Sequence, residues 1–194
     1  MNQRVFTAVD LPDPIKKSVR ALQQEMSNRF PPIIRWTPSQ QMHITLKFVG
    51  AIKEDHLTPI KNKLHEECGQ HPAFPLILKD TGIFPSLKNP RIFWIGLGLS
   101  PELLSLVKRN ERVFNAFGYP PEKRPFRGHI TIGRFKKYIS LQELKMFQTN
   151  FQAEEPSFHA KLNADHLSLY ESQLSPQGPT YTQLLQVPFR DASA

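Results

Sequence analysis

His43-Ile44-Thr45-Leu46-Lys47-Phe48 and His129-Ile130-Thr131-Ile132-Gly133-Arg134-Phe135 are two versions of one stretch, a His-Ile-Thr tripeptide set among β-branched and apolar residues. Such runs favour extended chain, because branched side chains pack well on a pleated, half-buried surface. Strand side chains alternate between faces, so His43 shares a face with Thr45 and His129 with Thr131, while the intervening Ile44 and Ile130 turn into the core. Each stretch thus presents an imidazole beside a hydroxyl. Two such faces across a cleft supply a general base, a general acid and two hydroxyl donors, a set suited to in-line displacement at a phosphodiester without a metal.

The repeat is not a chance feature of composition. From the numbers of His, Ile and Thr in 194 residues, His-Ile-Thr is expected about 0.02 times. A lone strand histidine is read as a packing residue with satisfied nitrogens, but a matched pair with matched hydroxyls is read as chemistry. Neither stretch has the His-x-x-x-His or Cys-x-x-Cys spacing that gathers metal ligands, so no metal is expected. His-x-Glu deaminase, Gly-x-x-x-x-Gly-Lys phosphate-loop, Gly-x-Ser-x-Gly and heptad patterns do not occur.

Outward from the two stretches, periodicity predicts strand at residues 4–9, helix at 12–30 with Ile15, Val19, Leu22, Met26 and Phe30 on one face, an extended piece at 33–36 and the first motif strand at 42–49. A helix follows over 53–68, in which Pro59 either makes a kink or opens a shorter helix capped by Thr58. Strands at 74–79 and 91–97 are joined by a loop holding Gly82, Pro85 and Pro90, and a helix runs from Pro101 to about Phe117. The segment from Tyr119 to Gly128 reads as a proline-rich basic loop. After the second motif strand, Ser140 and Glu143 form a capping box for a helix to about Phe151. Strands at 157–162, 165–171 and 181–187 complete the chain. Each motif strand is followed closely by a helix, which implies two similar half-domains about a pseudo-twofold axis. The expected fold is α+β, one bilobal domain over 1–194, with mainly antiparallel sheets and outer helices flanking a central cleft.

A formal net charge of +8 favours an anionic partner, with nucleic acid the natural candidate. The basic cluster Lys123-Arg124-Pro125-Phe126-Arg127 lies just before the second stretch, whereas Lys16-Lys17 and Lys136-Lys137 read as ordinary exposed positions. No run of 18 apolar residues occurs, so no membrane association is expected, and the single Cys68 fits a structural role in a reducing cytoplasm. His56, His65, His71, His159 and His166 read as surface or packing residues. A monomer is expected.

The chain resembles the 2H phosphoesterases, and among them the bacterial and archaeal RNA 2′,3′-cyclic phosphodiesterases, historically called 2′-5′ RNA ligases. Besides the two His-x-Thr motifs, the likeness includes Arg4-Val5-Phe6-Thr7-Ala8-Val9-Asp10-Leu11-Pro12, Arg35-Trp36-Thr37-Pro38 and Gly82-Ile83-Phe84-Pro85. It continues through Pro90-Arg91-Ile92-Phe93-Trp94-Ile95-Gly96 and Leu167-Ser168-Leu169-Tyr170-Glu171-Ser172. One departure is Gly128, where the family pattern usually has proline. The resemblance implies a cofactor-free enzyme that opens 2′,3′-cyclic phosphates on RNA ends or nucleotides to the 2′-phosphomonoester. In it, His43 is the general acid towards the leaving O3′, His129 the base that activates water, and Thr45 and Thr131 bind the non-bridging oxygens. It also implies ATP-independent 2′-5′ ligation in reverse. The alternatives are a non-catalytic module that grips RNA ends, and a phosphodiesterase acting on 2′-5′ oligoadenylate or another 2′-linked nucleotide.

Pattern and resemblance disagree at two positions. The resemblance implies that Arg134 reaches the phosphate and Phe48 stacks on a base, yet strict alternation places Lys47 beside His43 and Thr45, and Gly133 beside His129 and Thr131. Lys47 is therefore a candidate phosphate contact on strand geometry alone. A bulge at Gly133 would turn Arg134 towards the cleft.

Overall fold

The computed structural model describes residues 2–154, 156–176 and 178–191. Nine strands form one sheet in the order β7-β4-β5-β6-β3-β1-β8-β9, with β2 paired to β6. These are β1 (Asn2–Asp10), β2 (Ile34–Trp36), β3 (His43–Lys53), β4 (Phe74–Ser86), β5 (Asn89–Leu97), β6 (His129–Phe135), β7 (His159–Ala164), β8 (His166–Ser175) and β9 (Gly178–Pro188). Every pairing between named strands is antiparallel. The architecture is α+β, with a curled antiparallel sheet and four helices.

The two motif strands meet at the middle of the sheet through one register pair, Ile44 opposite Ile130. On either side of that pair lie equivalent half-sheets, β3-β1-β8-β9 and β6-β5-β4-β7. Equivalence extends to register: Asp10 faces His43 and Ala8 faces Thr45 in one half, and Gly96 faces His129 and Trp94 faces Thr131 in the other. The two halves are related by a pseudo-twofold axis through the Ile44–Ile130 pair.

Four helices cover the convex face: α1 (Asp13–Arg29), α2 (Glu54–Cys68), α3 (Pro101–Ala116) and α4 (Leu141–Glu154). Helix α1 begins directly after Pro12, carries Pro14 in its first turn, where no intrahelical N–H bond is lost, and buries Ile15, Val19, Leu22 and Met26 on one face. Ser100 accepts from Leu103 N–H at 3.2 Å to cap α3. Ser140 and Glu143 exchange hydrogen bonds of 2.9 and 3.2 Å through each other's backbone N–H, the capping box read from the sequence. Helix α2 runs unbroken from Glu54 with Pro59 inside it, so Thr58 does not open it.

The helices interlock the halves. Although α1 follows β1, it packs under the opposite half: Gln23 Nε2 donates to the Ile132 carbonyl at 2.8 Å, and Phe30 packs on Phe93 and Phe147. Helix α3 follows β5 and lies under the first half, where Asn110 Nδ2 donates to Thr7 Oγ1 at 2.8 Å. Neither half can bury its convex face without a helix supplied by the other. Among the described residues, no helix is long and apolar enough to cross a membrane.

The expected loop at 80–90 is instead a long hairpin, since β4 and β5 stay paired out to Ser86 opposite Asn89. Its prolines face each other, Pro85 opposite Pro90, next to a register shift where a missing N–H disturbs no regular ladder. Gly82 is required for a steric reason. A Cβ there would lie 2.1 Å from Trp94 Cζ2, inside a rigid indole ring. Gly82→Ala is expected to destabilise the fold by about 1–3 kcal/mol through overpacking, read as a lower urea midpoint at an unchanged slope.

Candidate active site

On the concave face, antiparallel pairing of Ile44 with Ile130 sets His43 on the side of Thr131 and His129 on the side of Thr45. Ile44 and Ile130 are fully buried on the other face, which forces their His and Thr neighbours towards the cleft. All four motif side chains line one cavity of about 720 Å³.

Strict alternation fails after each threonine, in the same way in both strands. In β3, Thr7 pairs with Lys47 and Ala8 with Thr45, so Leu46 is an extra residue; in β6, Phe93 pairs with Gly133 and Trp94 with Thr131, so Ile132 is extra. Each bulge puts two successive residues on the convex side and reverses the phase beyond. Phe48, 72% exposed, and Arg134 therefore line the cavity with the His-x-Thr pairs. Gly133 is explained by crowding, not by an unusual φ, because a Cβ there would come within 2.6 Å of Ile34 Cγ2.

The expectation for Lys47 is corrected by the same bulge. Its side chain points away from the cavity, and its ammonium donates to Glu111 Oε2 at 2.6 Å and to the Pro120 carbonyl at 2.9 Å. It is a buried partner of α3, with no access to a ligand in the cleft. Lys136 and Lys137 are exposed as expected, but they are not ordinary surface, since both line the cavity. With Arg35 and Arg134 they make its lining cationic, and no Asp or Glu contributes to that lining among the described residues. Such a field favours anionic ligands.

The imidazoles are held alike. His43 Nδ1 lies 2.9 Å from the Gln41 carbonyl and His129 Nδ1 lies 2.8 Å from the Arg127 carbonyl, each two residues upstream. A carbonyl only accepts, so each Nδ1 carries the hydrogen, and Nε2 is left for proton transfer. Aromatic rings fix the remaining freedom. Phe6 stacks on His43 with centroids 4.8 Å apart, Tyr181 meets it edge-on at 5.3 Å, and Phe84 stands edge-on to His129 at 5.2 Å. Phe84 and Tyr181 come from strands remote in sequence, so no local pattern marks them.

A carboxylate lies beside His43. Asp10, opposite His43 in register, accepts from His166 Nε2 at 2.9 Å, Ser168 Oγ at 2.6 Å and Tyr170 OH at 2.7 Å. Burial works against its charge, but these three donors hold its carboxyl below the ordinary range, and the hydrogen bond to Asp10 in turn raises His166. His166 is thus neither a surface nor a simple packing residue. Cys68 is fully buried, and burial pushes its thiol up to about 12, as suits an inert core residue.

Two half-sheets that bring a His-x-Thr face each to a common cationic cleft form the architecture of a two-histidine phosphoesterase. A family model described as LigT-like phosphoesterase matches residues 9–94 and 97–181, and the chain belongs to that family. Over 189 residues it is 30% identical to a Thermotoga maritima protein named RNA 2′,3′-cyclic phosphodiesterase, covering 96% of this chain and 95% of the relative. The fold is similar to that of a Thermus thermophilus protein, with a TM-score of 0.80 at 24% identity, covering 97% and 99% of the two chains. It is also similar to Escherichia coli LigT solved with 3′-AMP, with a TM-score of 0.76, 24% identity and coverage of 97% and 99%.

Burial lowers His43 from its ordinary 6.5 to about 4; the Gln41 carbonyl and Asp10 oppose the shift, while His129 and Arg134 reinforce it. In the ligand-free protein His43 is therefore neutral at neutral pH. Between about 6.5 and 4 the unfolded chain binds the proton and the folded one does not, so this group withdraws stability as pH falls through that window. An NMR titration of the histidine ring signals is expected to show His43 still neutral at pH 5, with its midpoint moving upward when inorganic phosphate fills the cleft.

Proposed function

We propose that this protein is a metal-independent phosphodiesterase that opens the 2′,3′-cyclic phosphate of RNA ends or nucleotides to the 2′-phosphomonoester. The observation that carries the reading is the convergence of two twofold-related His-x-Thr faces in one cavity lined by cations. A cyclic phosphate is strained and needs only an in-line water and a protonated leaving oxygen, so two imidazoles suffice as acid and base. His129 takes the proton from water, whose oxygen bonds to phosphorus as the P–O3′ bond breaks, and His43 protonates O3′. The hydroxyls of Thr45 and Thr131 donate to the non-bridging oxygens, whose charge grows in the transition state.

The low proton affinity of His43 in the empty site fits the acid role once substrate enters. A bound phosphate anion favours the imidazolium, and Asp10 adds a second negative field, so the proton is acquired with the ligand and held weakly enough to be given up. Arg134 binds the phosphate as a point of charge: among the described residues, no carboxylate forms an ion pair with it. Phe48, solvent-exposed at the cleft wall, stacks on the base. By microscopic reversibility the same groups join a 2′,3′-cyclic end to a 5′-hydroxyl without ATP. We place this activity in a cytoplasmic monomer acting on RNA ends.

Wild-type protein is expected to hydrolyse 2′,3′-cyclic AMP but not 3′,5′-cyclic AMP, in the presence of EDTA, with phosphorus NMR showing the 2′-phosphate. His43→Ala and His129→Ala should each lower kcat by about 10²- to 10⁴-fold, and Thr45→Val and Thr131→Val by about 10²- to 10³-fold. Near-normal turnover by either histidine variant would sink the mechanism.

Arg134→Ala and Lys47→Ala separate the cleft from the core. The first should raise KM and flatten its salt dependence while leaving stability unchanged. The second should leave KM unchanged but destabilise the fold by up to about 3 kcal/mol, because it strands Glu111 without its buried partner. Substrate kinetics at two salt concentrations, with urea melts of both variants, test the pair.

A further inference from the structure

A second cavity, of about 300 Å³, opens on the far side of the Phe84 ring and shares Phe84 and His129 with the main one. His129 therefore stands between two spaces, whereas His43 does not contribute to the second. The cause lies in the pseudo-twofold comparison. The register position opposite His43 is Asp10, whose carboxylate is tied to His166, Ser168 and Tyr170 and closes the sheet face beyond it. The equivalent position opposite His129 is Gly96, which has no side chain. With Gly128 it lines the cavity, where the Trp94 indole lies over Gly96, 3.1 Å from where a Cβ would stand, and the exposed cations Lys79 and Arg127 form the rim. Asp80 is the one carboxylate in this lining.

We propose that this second cavity is an acceptor subsite, which holds the nucleoside whose 5′-oxygen bonds to phosphorus from the His129 side. The inference rests on the proposed function, in which the nucleophile enters at His129 and O3′ leaves at His43. In-line geometry puts the nucleoside that carries the cyclic phosphate on the His43 side, so what lies beyond His129 receives only the group in the place of water. A nucleoside there meets the aromatic faces of Phe84 and Trp94, Asp80 accepts from its hydroxyl or amino groups, and its 3′-phosphate meets Lys79 and Arg127. In the joining direction His129 Nε2 takes the 5′-hydroxyl proton as P–O5′ forms, P–O3′ breaks and O3′ takes a proton from His43. In the cleaving direction P–O5′ breaks with proton return from His129, and O3′, deprotonated by His43, re-forms the cyclic phosphate. No further reactant enters in either direction.

Lys79 tests the assignment, since its side chain is exposed and its strand contacts are made by the backbone. Three substrates are compared on wild type, Lys79→Glu and Lys79→Arg. They are 2′,3′-cyclic AMP, a 2′-5′-linked diadenylate bearing a 3′-phosphate, and a 3′-5′-linked diadenylate ending in a 2′,3′-cyclic phosphate. Lys79→Glu is expected to lower kcat/KM for the 2′-5′-linked compound by about tenfold, equivalent to about 1.4 kcal/mol, with Lys79→Arg near wild type and the other two substrates within about twofold. The subsite is overturned if wild type does not cleave the 2′-5′ linkage, if Lys79→Glu cleaves it normally, or if the loss falls on the 3′-5′-linked substrate, which would make the cavity a track for the upstream strand. Failure of wild type on 2′,3′-cyclic AMP would instead overturn the proposed function itself, and the subsite with it.

Discussion

One backbone pairing, Ile44 against Ile130, determines how the rest of the molecule is arranged. It is the only register pair between the motif strands among the described residues, and it lies at the centre of both His-Ile-Thr tripeptides. Slipping that register by one residue would send one motif's imidazole and hydroxyl into the helix layer and its isoleucine into the cleft. The penalty for burying those polar groups without partners, together with the lost burial of an isoleucine, holds the two halves in alignment. Because the strands meet at this point and are otherwise paired to different neighbours, a cleft forms with the four motif side chains on its walls.

The twin bulges extend that arrangement beyond the tripeptides. With an extra residue at Leu46 and another at Ile132, each strand gains one apolar side chain for the convex core and delivers its sixth residue, Phe48 or Arg134, to the cleft. The same backbone irregularity thus gives the cleft two kinds of surface, an aromatic ring in one half and a guanidinium in the other. At the fifth position the halves diverge for packing reasons. Lys47 reaches Glu111 on α3, whereas the approach of Ile34 and Trp36 leaves room only for Gly133.

A twofold frame with unequal surroundings also explains how two chemically identical imidazoles come to differ. His43 stacks on Phe6, meets Tyr181 edge-on and has a hydrogen-bonded carboxylate next to it, while His129 borders Phe84 and the second cavity. Burial lowers the proton affinity of the first, and the neighbouring Asp10 carboxylate opposes that shift. The interlocked helices keep these environments in place, since α1 and α3 each brace the half opposite to their own strand. Asp10 and the backbone carbonyls of Gln41 and Arg127 belong to this layer of support around the two imidazoles.

The sequence by itself determined the two His-x-Thr faces, because period-two alternation within three residues is a local property that needs no knowledge of the fold. It likewise determined the four helices and the capping box at Ser140 and Glu143, since these rest on short-range spacing. Only the tertiary structure decided what lies past each threonine. A bulge is set by the neighbouring strand's register, so alternation alone puts Lys47 on the cleft face, and only the pairing with β1 puts Phe48 there instead. The hairpin at Gly82–Pro90 was hidden for a related reason, as its proline and glycine signals mark a turn unless a partner strand and the Trp94 ring account for them. Lys136 and Lys137 looked like ordinary surface, and the second cavity had no sequence signal at all. Both depend on which distant strands curl together around the cleft, a long-range outcome that no local run of residues encodes.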